Sequence, residues 1–184
     1  MKNLKDYFVP TITLFIICLV ATFLLGMTNS VTAPIIAELA VETEKKSRQI
    51  VFADAASFGE AVISDDGTSV VTALDESGAV IGHVVVNTAK GYGGDISVMT
   101  GVDADGKVTG VNVLSHAETA GLGAKAAEES FRDRFIGLVQ GITVSKDKAG
   151  ENSIDAITGA TITSRAVTEA VNAAIEAAGG ANNG

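Results

Sequence analysis

An α+β fold, with one amino-terminal membrane-spanning helix ahead of a domain of mainly antiparallel sheet and flanking helices, is what this 184-residue sequence predicts. Three observations carry that prediction. An uncharged apolar stretch fills the amino end, short apolar runs broken by Asp/Gly turns fill the middle, and an apolar stripe at helical spacing lies near the carboxyl end.

Between Asp6 and Glu38 no residue is charged, and Tyr7 to Met27 reads YFVPTITLFIICLVATFLLGM. As a helix these residues extend about 31 Å, matching a bilayer core of roughly 30 Å. Pro10 is placed in the first turn, where its missing N–H costs little, and Thr11, Thr13 and Thr22 can bond back to helix carbonyls. Lys2 and Lys5 followed by an apolar stretch also resemble a signal peptide. Against cleavage, the stretch is longer than a usual signal core, and Pro34 spoils the small-residue site Val31-Thr32-Ala33. Cys18, mid-segment behind Ile17, is wrongly placed for a lipoprotein site. The expectation is an uncleaved single-pass anchor over 7–27 in the cytoplasmic membrane. Residues 1–6 stay in the cytoplasm, because no Lys or Arg follows Lys5 until Lys45. The carboxyl-terminal domain then lies outside, in the periplasm where the cell has one.

After the anchor, 28–68 reads as a helical connector, its clearest helix being APIIAELAVETEKKSRQIV over Ala33–Val51. Strands follow at Ser69–Leu74, Val80–Asn87, Ile96–Thr100 and Val108–Leu114. They are separated by the turn sequences Asp65-Asp66-Gly67, Glu76-Ser77-Gly78 and Asp105-Gly106-Lys107. Gly123 to Arg134 reads as helix, and Gly141 to Ser145 as a short strand before a polar loop. Val167, Ala170, Val171, Ala174, Ile175 and Ala178 make one apolar stripe on a final helix, closed by Gly179-Gly180, with 179–184 a tail.

Composition excludes several functions. With 22 Asp+Glu against 13 Lys+Arg and a net charge of −9, the chain lacks the clustered cations that nucleic-acid binding requires. One cysteine rules out a disulfide framework, a cysteine zinc site and a thiolate-held iron–sulfur cluster. His83 and His116 alone make no metal site, and His116 reads as a hydrogen-bonding group at a strand end. Any redox chemistry must come from a bound group. No side chain reads as catalytic by itself.

Asp155-Ala156-Ile157-Thr158-Gly159-Ala160-Thr161-Ile162-Thr163-Ser164-Arg165 crowds hydroxyls and small residues ahead of the final helix. Spacing alone allows two readings. In one, Thr163 or Ser164 is the helix N-cap and Gly159 a turn residue. In the other, the helix amino end holds a phosphate on its free N–H groups.

Asp-x-x-Thr-Gly-Ala-Thr, here Asp155 to Thr161, resembles the flavinylation motif of the FMN-binding domain in the G subunit of Rnf-type electron transport complexes. The C subunit of the sodium-translocating NADH:quinone reductase is similar. The resemblance implies that FMN is esterified through its phosphate to Thr161, with Thr158, Gly159 and Ala160 lining the attachment turn. Ser115-His116-Ala117-Glu118-Thr119-Ala120-Gly121-Leu122-Gly123 resembles a second family segment, with Ala120 where the family has Pro. It implies that Thr119 and Leu122 touch the flavin, with Glu118 and Gly121 supporting them; Ala120 does not fix φ as Pro would. Lys90-Gly91-Tyr92-Gly93-Gly94-Asp95 is similar to a family glycine-rich turn. The likeness spans roughly 69–178, which it makes the FMN-binding domain, and the chain's shortness favours the Rnf branch.

What the resemblance implies is a flavoprotein with covalent FMN, relaying electrons inside a membrane complex that couples ferredoxin/NAD electron transfer to Na⁺ or H⁺ translocation. The complex, not this chain alone, would be the enzyme. Implied partners are the other subunits, including a second flavinylated membrane subunit, together with an FMN transferase and membrane lipid. The alternatives are a subunit of the quinone-reductase type and a flavin-free anchored binding or assembly module.

Overall fold

The computed structural model describes residues 5–146 and 150–181. Residues 1–4 of the expected cytoplasmic segment and 182–184 of the expected tail lie outside the described residues. The chain divides into two units, Met1–Thr43 and Glu44–Gly184.

The described residues of the first unit are helix. Helix α1, Lys5–Val51, runs for 47 residues, and Pro10–Ala33 within it is apolar enough to cross a membrane, with a mean hydropathy of 2.3. Because α1 begins at Lys5, Pro10 falls in its second turn rather than its first. The hydroxyls of this stretch are satisfied within the helix: Thr22 Oγ1 donates to the Cys18 carbonyl at 2.6 Å, Thr28 Oγ1 to Leu24 at 2.9 Å and Thr32 Oγ1 to Thr28 at 2.7 Å. Such bonds pair these three hydroxyls with carbonyls of the helix itself. Phe15, Phe23 and Leu25 stand exposed along it, an apolar surface that water does not favour.

The second unit is built on a five-stranded antiparallel meander. Its strands are β1 Ser57–Ile63, β2 Ser69–Leu74, β3 Val80–Lys90, β4 Asp95–Asp103 and β5 Val108–Ser115, adjacent in that order. The turns between them close locally. Asp66 accepts from the Thr68 amide at 3.0 Å, Asp75 from the Ser77 and Ala79 amides at 2.8 and 2.9 Å, and Asp103 from the Asp105 and Lys107 amides at 2.9 and 2.8 Å.

Both faces of the sheet are covered, which is why Val84, Val85 and Val86 of β3 follow one another with no polar residue between them. Val84 faces the end of α1 with Val51, Phe52, Ala55, Val71 and Met99. Val85 faces the other way, with Ile96, Val98, Val102 and the stripe of α3, Thr161–Ala181. The end of α1 is tied down by Thr109 Oγ1, which donates to the Val51 carbonyl at 2.6 Å, and by Asn112 Nδ2, which donates to Ser47 Oγ at 3.0 Å. On the opposite face, Asn87 Nδ2 donates to the Ala170 carbonyl at 2.8 Å. Val167 and Val171 are fully buried there, each contributing about 1.5–3 kcal/mol relative to exposure.

Three expectations are corrected. The connector 28–68 is not helical throughout, because β1 lies inside it and extends the sheet ahead of Ser69. As a largely exposed edge strand, β1 shows no alternation to read. The stretch from Gly123 to Arg134 is not one helix but a 3₁₀ turn, Gly123–Ala127, then α2, Glu129–Arg132, then another 3₁₀ turn, Asp133–Phe135. Phe131 and Phe135 turn inward from it, edge to face at 5.5 Å. Finally, α3 does not close at Gly179-Gly180 but runs to Ala181, since glycine permits the left-handed conformation without requiring it. The short strand predicted over Gly141–Ser145 is β6, Thr143–Val144, paired in parallel with β7, Ser153–Ile154.

Candidate functional site

A cavity of about 580 Å³ opens where four segments meet: the glycine-rich turn after β3, the loop after β5, the turn after β6 and the first turn of α3. That volume lies within the 300–1,000 Å³ usual for cofactor sites. Tyr92, Leu122 and Ile162 line it with exposed apolar surface, 71%, 45% and 51% accessible.

The motif before α3 folds by closing on itself. The Ala160 amide donates to the Ile157 carbonyl at 3.0 Å across Gly159, whose φ of 80° no side chain adopts easily. Ser164, fully buried, reaches back from the first turn of the helix. Its Oγ accepts from the Ile157 amide and donates to the Ala160 carbonyl, both at 2.9 Å. Neither Thr163 nor Ser164 is therefore the N-cap. The helix starts at Thr161, the Ala160 carbonyl accepts its first bond from the Ser164 amide at 3.0 Å, and both hydroxyls serve contacts elsewhere.

Thr163 Oγ1 donates to Glu118 Oε2 at 2.8 Å. The other carboxylate oxygen, Oε1, accepts from the Tyr92 amide at 2.8 Å and the Gly93 amide at 3.1 Å. One carboxylate thus joins the glycine-rich turn, the loop after β5 and α3. His116 Nδ1 accepts from the Glu118 amide at 3.3 Å, a hydrogen-bonding position just past the end of β5. Gly123 must be glycine for this join: a Cβ there would strike Glu118 Oε2 and come within 2.8 Å of Thr163 Oγ1.

Thr161, half-buried, turns its hydroxyl toward Lys146, whose Nζ donates to Oγ1 at 3.2 Å. Lys146 follows β6, where the Ser145 amide donates to the Ile154 carbonyl at 2.8 Å and Ser145 Oγ to Asp155 Oδ1 at 2.7 Å. Arg134 Nη1 donates to the Asp155 carbonyl at 2.7 Å. Asp155, first residue of the motif, braces the turn that presents Lys146 to Thr161, its last.

Of the residues singled out from the sequence, Glu118, Thr119, Leu122, Gly159, Ala160 and Thr161 line this one cavity. Thr158 and Gly121 do not. Thr158 is exposed just outside it, and Gly121, at φ 77°, shapes the Thr119–Leu122 turn behind it. Sequence reasoning missed Lys146, Ile162 and the bond from Thr163 to Glu118. Ile162 follows Thr161 directly and is readable from helix geometry, whereas nothing local marks Lys146.

Residues 91–176 match the FMN-binding domain family. The chain is 35% identical over 176 residues to the G subunit of the proton-translocating ferredoxin:NAD(+) oxidoreductase complex of Clostridium ljungdahlii, spanning 95% of this chain and 93% of that one. It is 38% identical over 195 aligned positions to the G subunit of the Na(+)-translocating ferredoxin:NAD(+) oxidoreductase complex of Acetobacterium woodii, spanning 94% and 91%. The fold is shared with the crystal structure of the C subunit of the Na(+)-translocating NADH-quinone reductase from Parabacteroides distasonis, at a TM-score of 0.53, 22% identity and coverage of 73% of this chain and 79% of that one. Likeness of this extent, running nearly end to end with the ferredoxin-linked subunits, places the chain in the family of G subunits of Rnf-type ion-translocating oxidoreductase complexes.

Proposed function

We propose that this chain is a membrane-anchored flavoprotein subunit with FMN esterified through its phosphate to Thr161, relaying electrons within an Rnf-type complex that couples ferredoxin/NAD electron transfer to cation translocation. One observation carries the reading: the Thr161 hydroxyl stands at the wall of an apolar-lined cavity with an ammonium 3.2 Å away. The residues present fit the group. Tyr92, Leu122 and Ile162 offer apolar surface for a planar ring, Thr119 a hydroxyl at its margin, and Thr161 with Lys146 an attachment point and a positive charge for a phosphate. The Glu118 oxygens are taken up by three hydrogen bonds, from the Tyr92 and Gly93 amides and the Thr163 hydroxyl.

FMN supplies electron transfer singly or in pairs. The chain's part is to hold the ring in a partly dry cavity and to fix its phosphate on a helix that is itself locked to the sheet. Pro10–Ala33 anchors the domain in the cytoplasmic membrane, with the sheet domain on the outer side by the positive-inside rule. Other complex subunits, among them a second flavinylated membrane subunit, exchange electrons with it, an FMN transferase matures it, and lipid surrounds the anchor. The test is the intact mass of denatured full-length protein from cells with and without an FMN transferase. Added FMN mass only in the first is expected; colourless, unmodified protein from both would favour a flavin-free assembly module.

A further inference from the structure

Lys146 is the single cationic side chain lining the cavity among the described residues, and no motif contains it. We propose that Lys146 is the phosphate-binding residue of this site, pairing with the phosphodiester formed on Thr161; the proposal rests on the covalent-FMN reading above.

The argument is geometric and electrostatic. An ester through Thr161 Oγ1 places phosphorus one bond beyond the atom that Lys146 Nζ already contacts at 3.2 Å. Non-bridging phosphate oxygens therefore come within reach of the same ammonium without rearrangement of α3 or of the β6 turn. The phosphodiester carries one negative charge, and a lysine supplies a compact positive charge with three donors. The cavity's other charged side chain, Glu118, has both oxygens engaged by the Tyr92 and Gly93 amides and the Thr163 hydroxyl. Lys146 is thus the group that balances the phosphate.

The position is also built. Strand pairing of β6 with β7 and the bond from Ser145 to Asp155 fix the backbone immediately before Lys146. Asp155 and Thr161 open and close one motif, so the segment that offers the ester also braces the cation that meets it. The Asp of the motif acts here by holding Ser145, and with it the turn that carries the lysine.

Lys146→Gln and Lys146→Arg in the full-length protein, each prepared loaded and unloaded, test this. In fully loaded protein the ³¹P resonance should move in Lys146→Gln and return toward the wild-type position in Lys146→Arg. The gain in thermal unfolding temperature on loading should shrink in Lys146→Gln and recover in Lys146→Arg. An unmoved ³¹P resonance in loaded Lys146→Gln, or equal destabilisation of its loaded and unloaded forms, would overturn the proposal and leave the covalent reading intact. If Lys146→Gln folds but takes up no FMN, loading of Lys146→Arg supports a charge requirement, and loss of loading in both overturns it. Wild-type protein that never gains FMN mass would instead sink the covalent reading itself.

Discussion

The hairpin turns and the cavity loops both close through short-range backbone bonds, yet their side chains are held in opposite ways. Asp66, Asp75 and Asp103 accept hydrogen bonds from residues two or four positions along the chain. Glu118 is joined to partners 25, 26 and 45 positions away, and Thr161 to one 15 away. A turn that closes on itself can form before anything else does and tolerates change around it. The cavity exists only once the sheet and α3 have docked, so a single side chain there supports several segments at once.

The largest effect expected from this contrast is chemical. Thr161→Ala should lose all covalent FMN while unfolding near the temperature of unloaded wild-type protein, because α3 is held by its buried stripe and not by this half-buried hydroxyl. Thr163 would be a poor control, since it is buried and serves Glu118, and Thr158 belongs to the motif; the exposed Thr88→Ala, outside both motif and cavity, is the clean one and should load fully. FMN mass retained by Thr161→Ala would place the bond elsewhere.

Next in size is Glu118→Ala, which strips the partner from two amides and the Thr163 hydroxyl together. A cost of about 1–3 kcal/mol in denaturant unfolding is expected for polar groups left unpaired, with loosening of the Tyr92–Gly93 turn visible in amide exchange. An unchanged midpoint would mean that the turn is held by its own Gly91–Gly94 bond and does not need the carboxylate.

Ser164→Ala should cost a comparable or smaller amount, about 1–3 kcal/mol, because the Ile157 amide loses its acceptor in a buried place. The informative readout is loading. If the Ile157–Ala160 turn keeps Thr161 in place without Ser164, FMN mass persists despite the lower stability.

The hairpins should show the smallest effect, and only in acid. The Thr68 amide and hydroxyl hold the Asp66 carboxyl below its ordinary 3.8, and the Ser77 hydroxyl with the Ala79 amide does the same for Asp75. A carboxyl depressed in the folded state contributes stability above its ordinary value and loses it as pH falls through the folded one. Protection of the amides in the two turns, taken relative to their intrinsic exchange rates, should therefore fall as pH drops below the ordinary 3.8. Protection unchanged in that range would mean that the backbone bonds of these turns hold without the carboxylates.

How much was legible follows the same division. The turns at 65–67, 76–78 and 105–107 and the strands they separate were readable because each signal lies within a few residues. The boundaries slipped where a partner decides: β3 and β4 run longer than their apolar runs because neighbouring strands continue to offer hydrogen bonds. Strand β1 escaped because its residues, Ser-Phe-Gly-Glu-Ala-Val-Ile, become a strand by pairing with β2 rather than by alternation. Resemblance, not periodicity, pointed to Thr161 and to the loop from Glu118 to Leu122.

By itself the sequence determined the apolar amino-terminal helix, the meander and the amphipathic α3, since length, turn chemistry and the spacing of apolar residues act locally and survive in any context. Only the tertiary structure decided that Thr163 holds Glu118 instead of capping α3, that Glu118 joins three segments, and that Lys146 meets Thr161. A side chain's partner across space is chosen by which surfaces dock to bury the sheet's two faces, and no window along the chain contains that choice.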